Sequence, residues 1–358
     1  MENARSRCAS VLGVSPEKLY FTSGGTESNA LVIHSLLRSR GALSGYWRNS
    51  DSSGDTRKLK SLLLYSGIEH PSIRENCLVL EKFGFPIGII GVEKDGRVSE
   101  GTLFQTLEKY PEARFAAIMG VNNETGSLMD IKTLASLLRI NQKKTKLPIH
   151  FHCDLVQALG KVPIDLKSWD PDSASFSAHK LGGPRGIGLL YLKKPISPLY
   201  SGGEQEGGVR PGTENTPGAL ALADLLEHRA KADTVKAEEE KARERFEYLI
   251  GKLKKIDRCS LIPKDREERD PRFSPWILQA RFKGLPGAVM VRALDDEGVA
   301  VSTGSACSSS SPERPVLTAM GADESERLEG IRISQGWTTD FTDMDTFISA
   351  VEKVLSLL

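Results

Sequence analysis

The run Ser173-Ala174-Ser175-Phe176-Ser177-Ala178-His179-Lys180 ends a short extended segment on a lysine and passes at once into Leu181-Gly182-Gly183-Pro184-Arg185-Gly186-Ile187-Gly188. An amine in that setting can form a Schiff base with an aldehyde cofactor, while the neighbouring hydroxyls and backbone N–H groups can hold a phosphate. A loop lysine beside a tight turn looks the same when taken alone. What raises the reactive reading lies upstream, in Ile149-His150-Phe151-His152-Cys153-Asp154-Leu155-Val156-Gln157, a buried-looking strand ending in a carboxylate. Pyridoxal phosphate needs an acid that keeps its ring nitrogen protonated, so that the ring can withdraw electrons from a substrate carbanion. Asp154 is placed to be that acid.

Further stretches carry chemistry of the same kind. Gly24-Gly25-Thr26 follows a strand-like run and precedes a helical pattern beginning near Glu27, which puts free N–H groups and a hydroxyl at a helix N-terminus. A plain helix cap would read alike; with Ser177, His179 and Lys180 present the phosphate reading is preferred. His70 precedes Pro71 in a turn after a strand, where a structural role and a proton-moving role are both open. Arg332 sits inside the apolar strand-like Gly330-Ile331-Arg332-Ile333-Ser334, where an unpaired charge is costly and a planar guanidinium can bind a carboxylate. A buried structural ion pair is its alternative. Cys307 lies in a Ser/Thr/Gly-rich stretch with no apolar anchor from 308 to 312, so it is expected to be mobile and exposed, a thiol able to attack sulfur as the thiolate.

These motifs, with Glu69-His70-Pro71-Ser72, Asn122-Asn123-Glu124-Thr125-Gly126, Arg210-Pro211-Gly212-Thr213-Glu214-Asn215 and Ser302-Thr303-Gly304-Ser305-Ala306-Cys307, stand in an order that resembles the cysteine desulfurases of the NifS/IscS type, class V enzymes of pyridoxal-phosphate fold type I. The resemblance runs almost from end to end. It implies Lys180 as the cofactor lysine and Cα base, and Cys307 as the persulfide carrier. It also implies His70 stacked on the cofactor ring, Asp154 at the ring nitrogen, and Asn123 and Gln157 bonding the ring hydroxyl and substrate region. Gly25, Thr26, Ser177 and His179 would hold the phosphate, with Thr213 reaching the phosphate of a partner subunit, which implies a homodimer. Arg332, with Asn123, would bind the substrate carboxylate, and Arg210 would assist.

The implied reaction converts L-cysteine to L-alanine and passes the sulfur to an acceptor or scaffold protein for iron–sulfur cluster assembly or tRNA thiolation. A class V aminotransferase or a selenocysteine lyase would share the cofactor site and differ in the use of Cys307. Relatives of this type carry some tens of residues before the point matching Glu2, including an Asp-Asn-Asn-Ala-Thr-like strand. No equivalent is visible in the sequence, which keeps a non-catalytic scaffold for sulfur-transfer partners as an alternative.

Composition excludes other classes. The 358 residues, 39% hydrophobic and 27% charged with a formal net charge of +1, describe an ordinary globular chain of about two domains without a general polyanion-binding surface, so no direct nucleic-acid partner is expected. No apolar run approaches the roughly 20 residues of a membrane span, and no basic head with an apolar stretch opens the chain, so the expected location is cytoplasmic, with no membrane partner. Five scattered cysteines show neither a CxxC pair nor metal-ligand spacing; Cys8, Cys77, Cys153 and Cys259 read as small buried hydrophobes, and no metal is expected.

The elements that must position these residues are legible as short apolar runs at 19–22, 61–65, 87–92, 115–121, 149–153, 174–177 and 187–192, with helical patterns between them. Continuous runs predict strands covered on both faces, hence a mostly parallel sheet between helices, with ligands at the carboxyl ends of the strands. From Pro217 one long charged helix is expected to about Ile256, leading into a smaller α/β layer with strands near 277–282 and 331–334 and helices near 288–295 and 344–357. The expected fold is therefore α/β of the fold-type I transferase kind, with a large cofactor domain over 1–216 and a small C-terminal domain over 217–358. A Ser/Gly/Asp-rich loop at 39–60 is longer than the resemblance accounts for.

Overall fold

Seven strands build the larger sheet: β1 (Leu19–Thr22), β2 (Leu62–Ser66), β3 (Ile87–Ile90), β4 (Ala113–Ala117), β5 (His150–Asp154), β6 (Ser173–Ser177) and β7 (Gly188–Leu192). Their order is β1-β7-β6-β5-β4-β2-β3. The neighbours from β6 to β3 run parallel, and β7 is antiparallel to both β6 and β1. The computed structural model describes residues 1–38, 62–304 and 314–357; the expected loop at 39–60 and Cys307 lie outside the described residues.

The strands stand close to where the apolar runs put them, because β1, β2, β4 and β7 are buried along their whole length, as strands sandwiched between helices must be. Two runs end earlier than their apolar content suggests, the third at Ile90 and, by a wider margin, the fourth. The fourth stops at Ala117, and although Ile118 and Gly120 still donate to the carbonyls of His152 and Asp154, the chain turns away there toward Val121.

The chain divides into two compact units. The larger comprises Met1–Gly91, Val98–Gly120 and Met129–Val235; the smaller comprises Val92–Arg97, Val121–Leu128 and Lys236–Leu358. In the larger unit, α1 (Glu2–Leu12) packs against α7 (Thr216–Arg229), with Arg7 Nε donating to Glu227 at 3.0 Å. The Arg5 guanidinium is bidentate on the buried Glu206, at 2.7 and 2.8 Å. This packing keeps α7 in the larger unit, so the division falls after Val235 rather than at the expected 216/217.

The single helix expected from 217 to 256 is two helices, α7 and α8 (Ala232–Leu253). No Gly or Pro marks the break at Ala230, whose φ of −115° leaves the helical region. The break lets the two apolar stripes serve different cores. Leu222 and Leu226 are buried in the larger unit, whereas Phe246, Leu249, Ile250 and Leu253 join the core of the smaller one.

That smaller core lies on a three-stranded antiparallel sheet of order β10-β9-β8, with β8 (Cys259–Leu261), β9 (Ile277–Phe282) and β10 (Gly330–Ser334). It is covered by α9 (Gly287–Asp296) and α12 (Phe341–Leu357). The segment Val121–Leu128 is tied in by the buried Arg266, which donates to the carbonyl of Thr125 at 2.9 Å and stacks over Phe273. Gly126 has φ of 79°, and a Cβ there would stand 2.6 Å from the carbonyl of Ile277, so this turn requires glycine. Among the described residues no helix is long and apolar enough to cross a membrane, and no group of His, Cys, Asp and Glu could hold a metal ion.

Candidate active site

The site in the larger unit is built at the carboxyl ends of β5 and β6. Strand alternation puts His150, His152 and Asp154 of β5 on one face, and β6 aligns Ser173 with His152 and Ser175 with Asp154, so two strands lay a polar stripe in a buried sheet. That face is covered by α2 (Gly25–Ser35), whose Asn29 reaches into the stripe. Asn29 Nδ2 donates to Asp154 Oδ2 at 2.8 Å, and the backbone N–H of Val156 donates to Oδ1 at 3.0 Å. Asp154 is 5% exposed, an anionic acceptor held from two sides at a strand end.

β6 ends at Ser177, and Ala178–Leu181 form a single 3-10 turn closed by Gly182 in the left-handed region, φ 81°. Lys180 is thus presented by this turn rather than by the strand, and it is half-buried. Ser177 Oγ and His179 Nδ1 are 2.8 Å apart. Gly24, the N-cap of α2, has φ of 151°, and a Cβ built on it would sit 3.5 Å from Ser177 Oγ. A Cβ on Gly25 would collide with Val156 at 2.5 Å. The two glycines let the start of α2 approach the ends of β5 and β6, with Thr26 exposed beside them, which is a cradle of N–H and hydroxyl donors suited to a phosphate.

His70 caps α3 (Pro71–Lys82). Its Nδ1 accepts from Ser72 N at 3.1 Å and lies 2.8 Å from Ser72 Oγ, which leaves Nε2 to carry the ring proton. Burial lowers its pKa, the charge of Asp154 acts in the opposite direction, and that of Lys180 lowers it further. Both charged groups are therefore felt at this imidazole, which is neutral around neutral pH. Gln157 is buried, and its Oε1 accepts from Lys161 at 3.0 Å. Thr213 is exposed, and Arg210 pairs with Glu27 at 3.1 Å.

In the smaller unit, Arg332 of β10 donates through Nη1 to the carbonyl of Asn123 at 2.9 Å, and its Nε meets no partner. Burial lowers its pKa, with Glu124 opposing. Among the described residues no carboxylate forms an ion pair with it, so the structural ion pair allowed by the sequence is not formed there. Asn122 organises the turn that carries Asn123, its Oδ1 accepting from the N–H groups of Glu124 and Thr125 at 2.9 Å each.

The sequence reading passed over Asn29, Ser72, His152 and Ser175 as site-builders. The signal was present: an Asn in a helix interior is a poor helix former, and the alternation in His150–Asp154 and Ser173–Ser177 sets polar groups on one buried face. Glu69 was likewise missed. Its Oε1 accepts from Met119 N at 2.7 Å and from Ser66 Oγ, Oε2 has no partner, and burial pushes its pKa up to about 8.

These buried groups set opposed pH dependences. His150 and His152 are pushed down by burial, His152 to about 3. As pH falls through about 6.5, the unfolded chain binds protons that the folded chain does not, and stability falls. Glu69 works in reverse. Between its ordinary value near 4.5 and its folded value near 8 the folded chain keeps a proton the unfolded chain has released, so stability falls as pH rises. Glu69→Gln is expected to flatten the alkaline arm, by about 2 kcal/mol between pH 6.5 and 8 at ~1.4 kcal/mol per pH unit per proton. Urea unfolding across that range measures it, and an unchanged alkaline slope in the variant would refute the assignment.

The four described cysteines are poor nucleophiles. Cys8, Cys77 and Cys153 are buried, Cys259 is half-buried, and burial raises all four thiols, Cys8 and Cys259 to about 12.

Comparison with known proteins gives this architecture its relatives. The chain is 34% identical over 368 residues to a NifS/IcsS protein homolog of Lactobacillus delbrueckii subsp. bulgaricus, covering 99% of this chain and 86% of the relative. It is 32% identical to a cysteine desulfurase IscS of Dictyoglomus turgidum, covering 100% of this chain and 84% of that one. A solved NifS-like protein superposes with a TM-score of 0.84 at 31% identity, covering 100% of this chain and 88% of the other. The profile of the family described as aminotransferase class-V matches residues 1–347, and the chain belongs to that family.

Proposed function

We propose that this protein is a pyridoxal-phosphate-dependent cysteine desulfurase that takes the sulfur of L-cysteine onto Cys307 as a persulfide and releases L-alanine. The observation that carries the reading is the grouping of Asp154 and Lys180, at the carboxyl ends of β5 and β6, with His70, which follows β2, and with the Gly24-Gly25 cradle. The cysteine desulfurases among the relatives supply the reaction class, and the family is pyridoxal-phosphate dependent. When bound, the cofactor supplies an electron-withdrawing ring that stabilises negative charge at the substrate Cα.

The residues present fit that group. The N–H groups of Gly25 and Thr26, the Thr26 hydroxyl, Ser177 and His179 would hold its phosphate, and the Asp154 carboxylate would accept from its ring N–H. His70 would stack on the ring, with Gln157 and Asn123 bonding nearby. The Lys180 amine would attach the cofactor, and once displaced by substrate it would take the Cα proton. The neutral His70 can offer its Nε2–H as a hydrogen-bond donor. Cys307 Sγ, as thiolate, would form the S–S bond while the Cβ–S bond of the substrate breaks with its electron pair going to carbon; a proton at Cβ, matching the one lost by the substrate thiol, and the proton returned to Cα complete alanine. Thr213 would serve the phosphate of a partner subunit in a cytoplasmic homodimer, and the persulfide would pass to an acceptor or scaffold protein.

The Arg332 guanidinium, with no carboxylate partner among the described residues, would bind the substrate carboxylate. Arg332→Ala is expected to raise KM for cysteine about tenfold or more, as loss of a hydrogen-bonded charge pair implies. Its visible spectrum should stay that of the parent. A KM within twofold of the parent would remove Arg332 from the substrate site. The proposal as a whole is tested by incubating the yellow holoenzyme with L-cysteine and a thiol reductant. Sulfide and alanine in equal amounts support it, and transamination of cysteine without sulfide would make the protein an aminotransferase instead.

A further inference from the structure

A single buried amide connects the two groups that the proposed reaction needs in defined protonation states. Asn29 is fully buried. Its Nδ2 must be the group facing Asp154, because a carboxylate can only accept there, and the same Nδ2 donates to Ser72 Oγ at 2.8 Å. Its Oδ1 is then an acceptor, so His152 Nε2, 2.9 Å away, carries the proton, and Ser175 Oγ donates to the same oxygen.

The directions propagate on both sides. His152 is neutral, so its Nδ1 accepts from Ser173 Oγ–H at 2.7 Å, and Ser173 Oγ in turn accepts from His150 Nε2–H at 2.8 Å. Donors thus point in one sense from His150 through Ser173, His152 and Asn29 to the Asp154 carboxylate, an arrangement in which each bond polarises the next. On the other branch, Ser72 Oγ has accepted from Asn29, so its own proton goes to His70 Nδ1, which leaves the His70 proton on Nε2. A reversed amide would set Oδ1 against Asp154 and remove the donor to Ser72.

We infer that Asn29, locked in orientation by His152 and Ser175, is a positioning residue that holds Asp154 as the acceptor for the cofactor ring and His70 as an Nε2–H donor. The inference rests on the cofactor reading above for its consequence, but the hydrogen-bond directions belong to the protein alone. The charged groups acting on His150 are Asp172, whose Oδ2 is fixed by Arg139 at 2.9 Å and by the N–H of Phe151 at 2.8 Å, and Arg139 itself, while the titratable group acting on His152 is His150. Asp154 and Lys180 act on His70.

Two measurements test it. Nitrogen-15 NMR of the cofactor-free protein should show His70, His150 and His152 as neutral Nε2–H tautomers, with His152 unchanged from pH 6 to 8. A proton on His152 Nδ1, or an imidazolium in that range, overturns the inference. In cofactor binding by the same protein, Asn29→Leu should weaken pyridoxal phosphate by about tenfold or more, the scale of losing a hydrogen bond to a charged group, and should shift His70 toward a mixed tautomer. Parent-like affinity and an unshifted His70 in Asn29→Leu would overturn the inference. If Asn29→Leu does not fold, the NMR of the parent decides. If the parent itself binds no pyridoxal phosphate, the functional proposal fails while the tautomers still decide the hydrogen-bond directions.

Discussion

Lys180→Ala is expected to remove covalent attachment of pyridoxal phosphate and to lower the turnover of cysteine by about 10³-fold or more, because one amine both anchors the cofactor and acts as the base at Cα, and a positioned base alone contributes about 10²–10⁴-fold. The fold should be unaffected. Lys180 lies on a 3-10 turn whose backbone geometry is set by Gly182 and by the N–H of Gly183 donating to the carbonyl of Ala178 at 2.9 Å. Borohydride treatment followed by peptide mapping checks the anchor. Cofactor fixed to a peptide that does not contain Lys180 in the parent, or still fixed in Lys180→Ala, would mean that another lysine does the work.

Cys307→Ser should separate cofactor chemistry from sulfur transfer. The variant is expected to keep its colour and to bind cysteine, yet to form no persulfide and to lose at least about two orders of magnitude in sulfide release, since a hydroxyl is a far weaker nucleophile toward sulfur than a thiolate. The other thiols offer no substitute. Cys8, Cys77 and Cys153 are buried in the packed interior, and burial holds all four described thiols in the protonated form. Labelling with radioactive-sulfur cysteine and mapping under non-reducing conditions locates the carrier. Label on Cys8, Cys77, Cys153 or Cys259, or undiminished sulfide release by the Ser variant, would move the protein toward the aminotransferase reading.

Much of the fold was legible because buried strands such as β1, β2 and β7 are continuous apolar runs, as burial on both faces requires, whereas β5 and β6 alternate polar and apolar residues. The helix break at Ala230 was not legible. Nothing in Arg229-Ala230-Lys231 disfavours a helix, and the break exists because two apolar stripes belong to two different cores. The assignment of Val92–Arg97 and Val121–Leu128 to the smaller unit was equally hidden, since it depends on partners distant in sequence, such as Arg266 and Thr125.

For the site, residue type and order along the chain were enough to single out Lys180, Asp154, the Gly24-Gly25-Thr26 turn, His70 and Arg332, because a reactive amine, a strand-end carboxylate and a glycine-led helix start each declare their chemistry locally. What only the tertiary structure decided is how those groups are held. Asn29 is 125 residues from Asp154 and 123 from His152 in the chain, and its amide acquires a direction only where α2 crosses the polar face of β5 and β6. Local sequence determines which atoms can donate or accept. The direction in which they do so is set by packing, because a buried donor without an acceptor is too costly to keep.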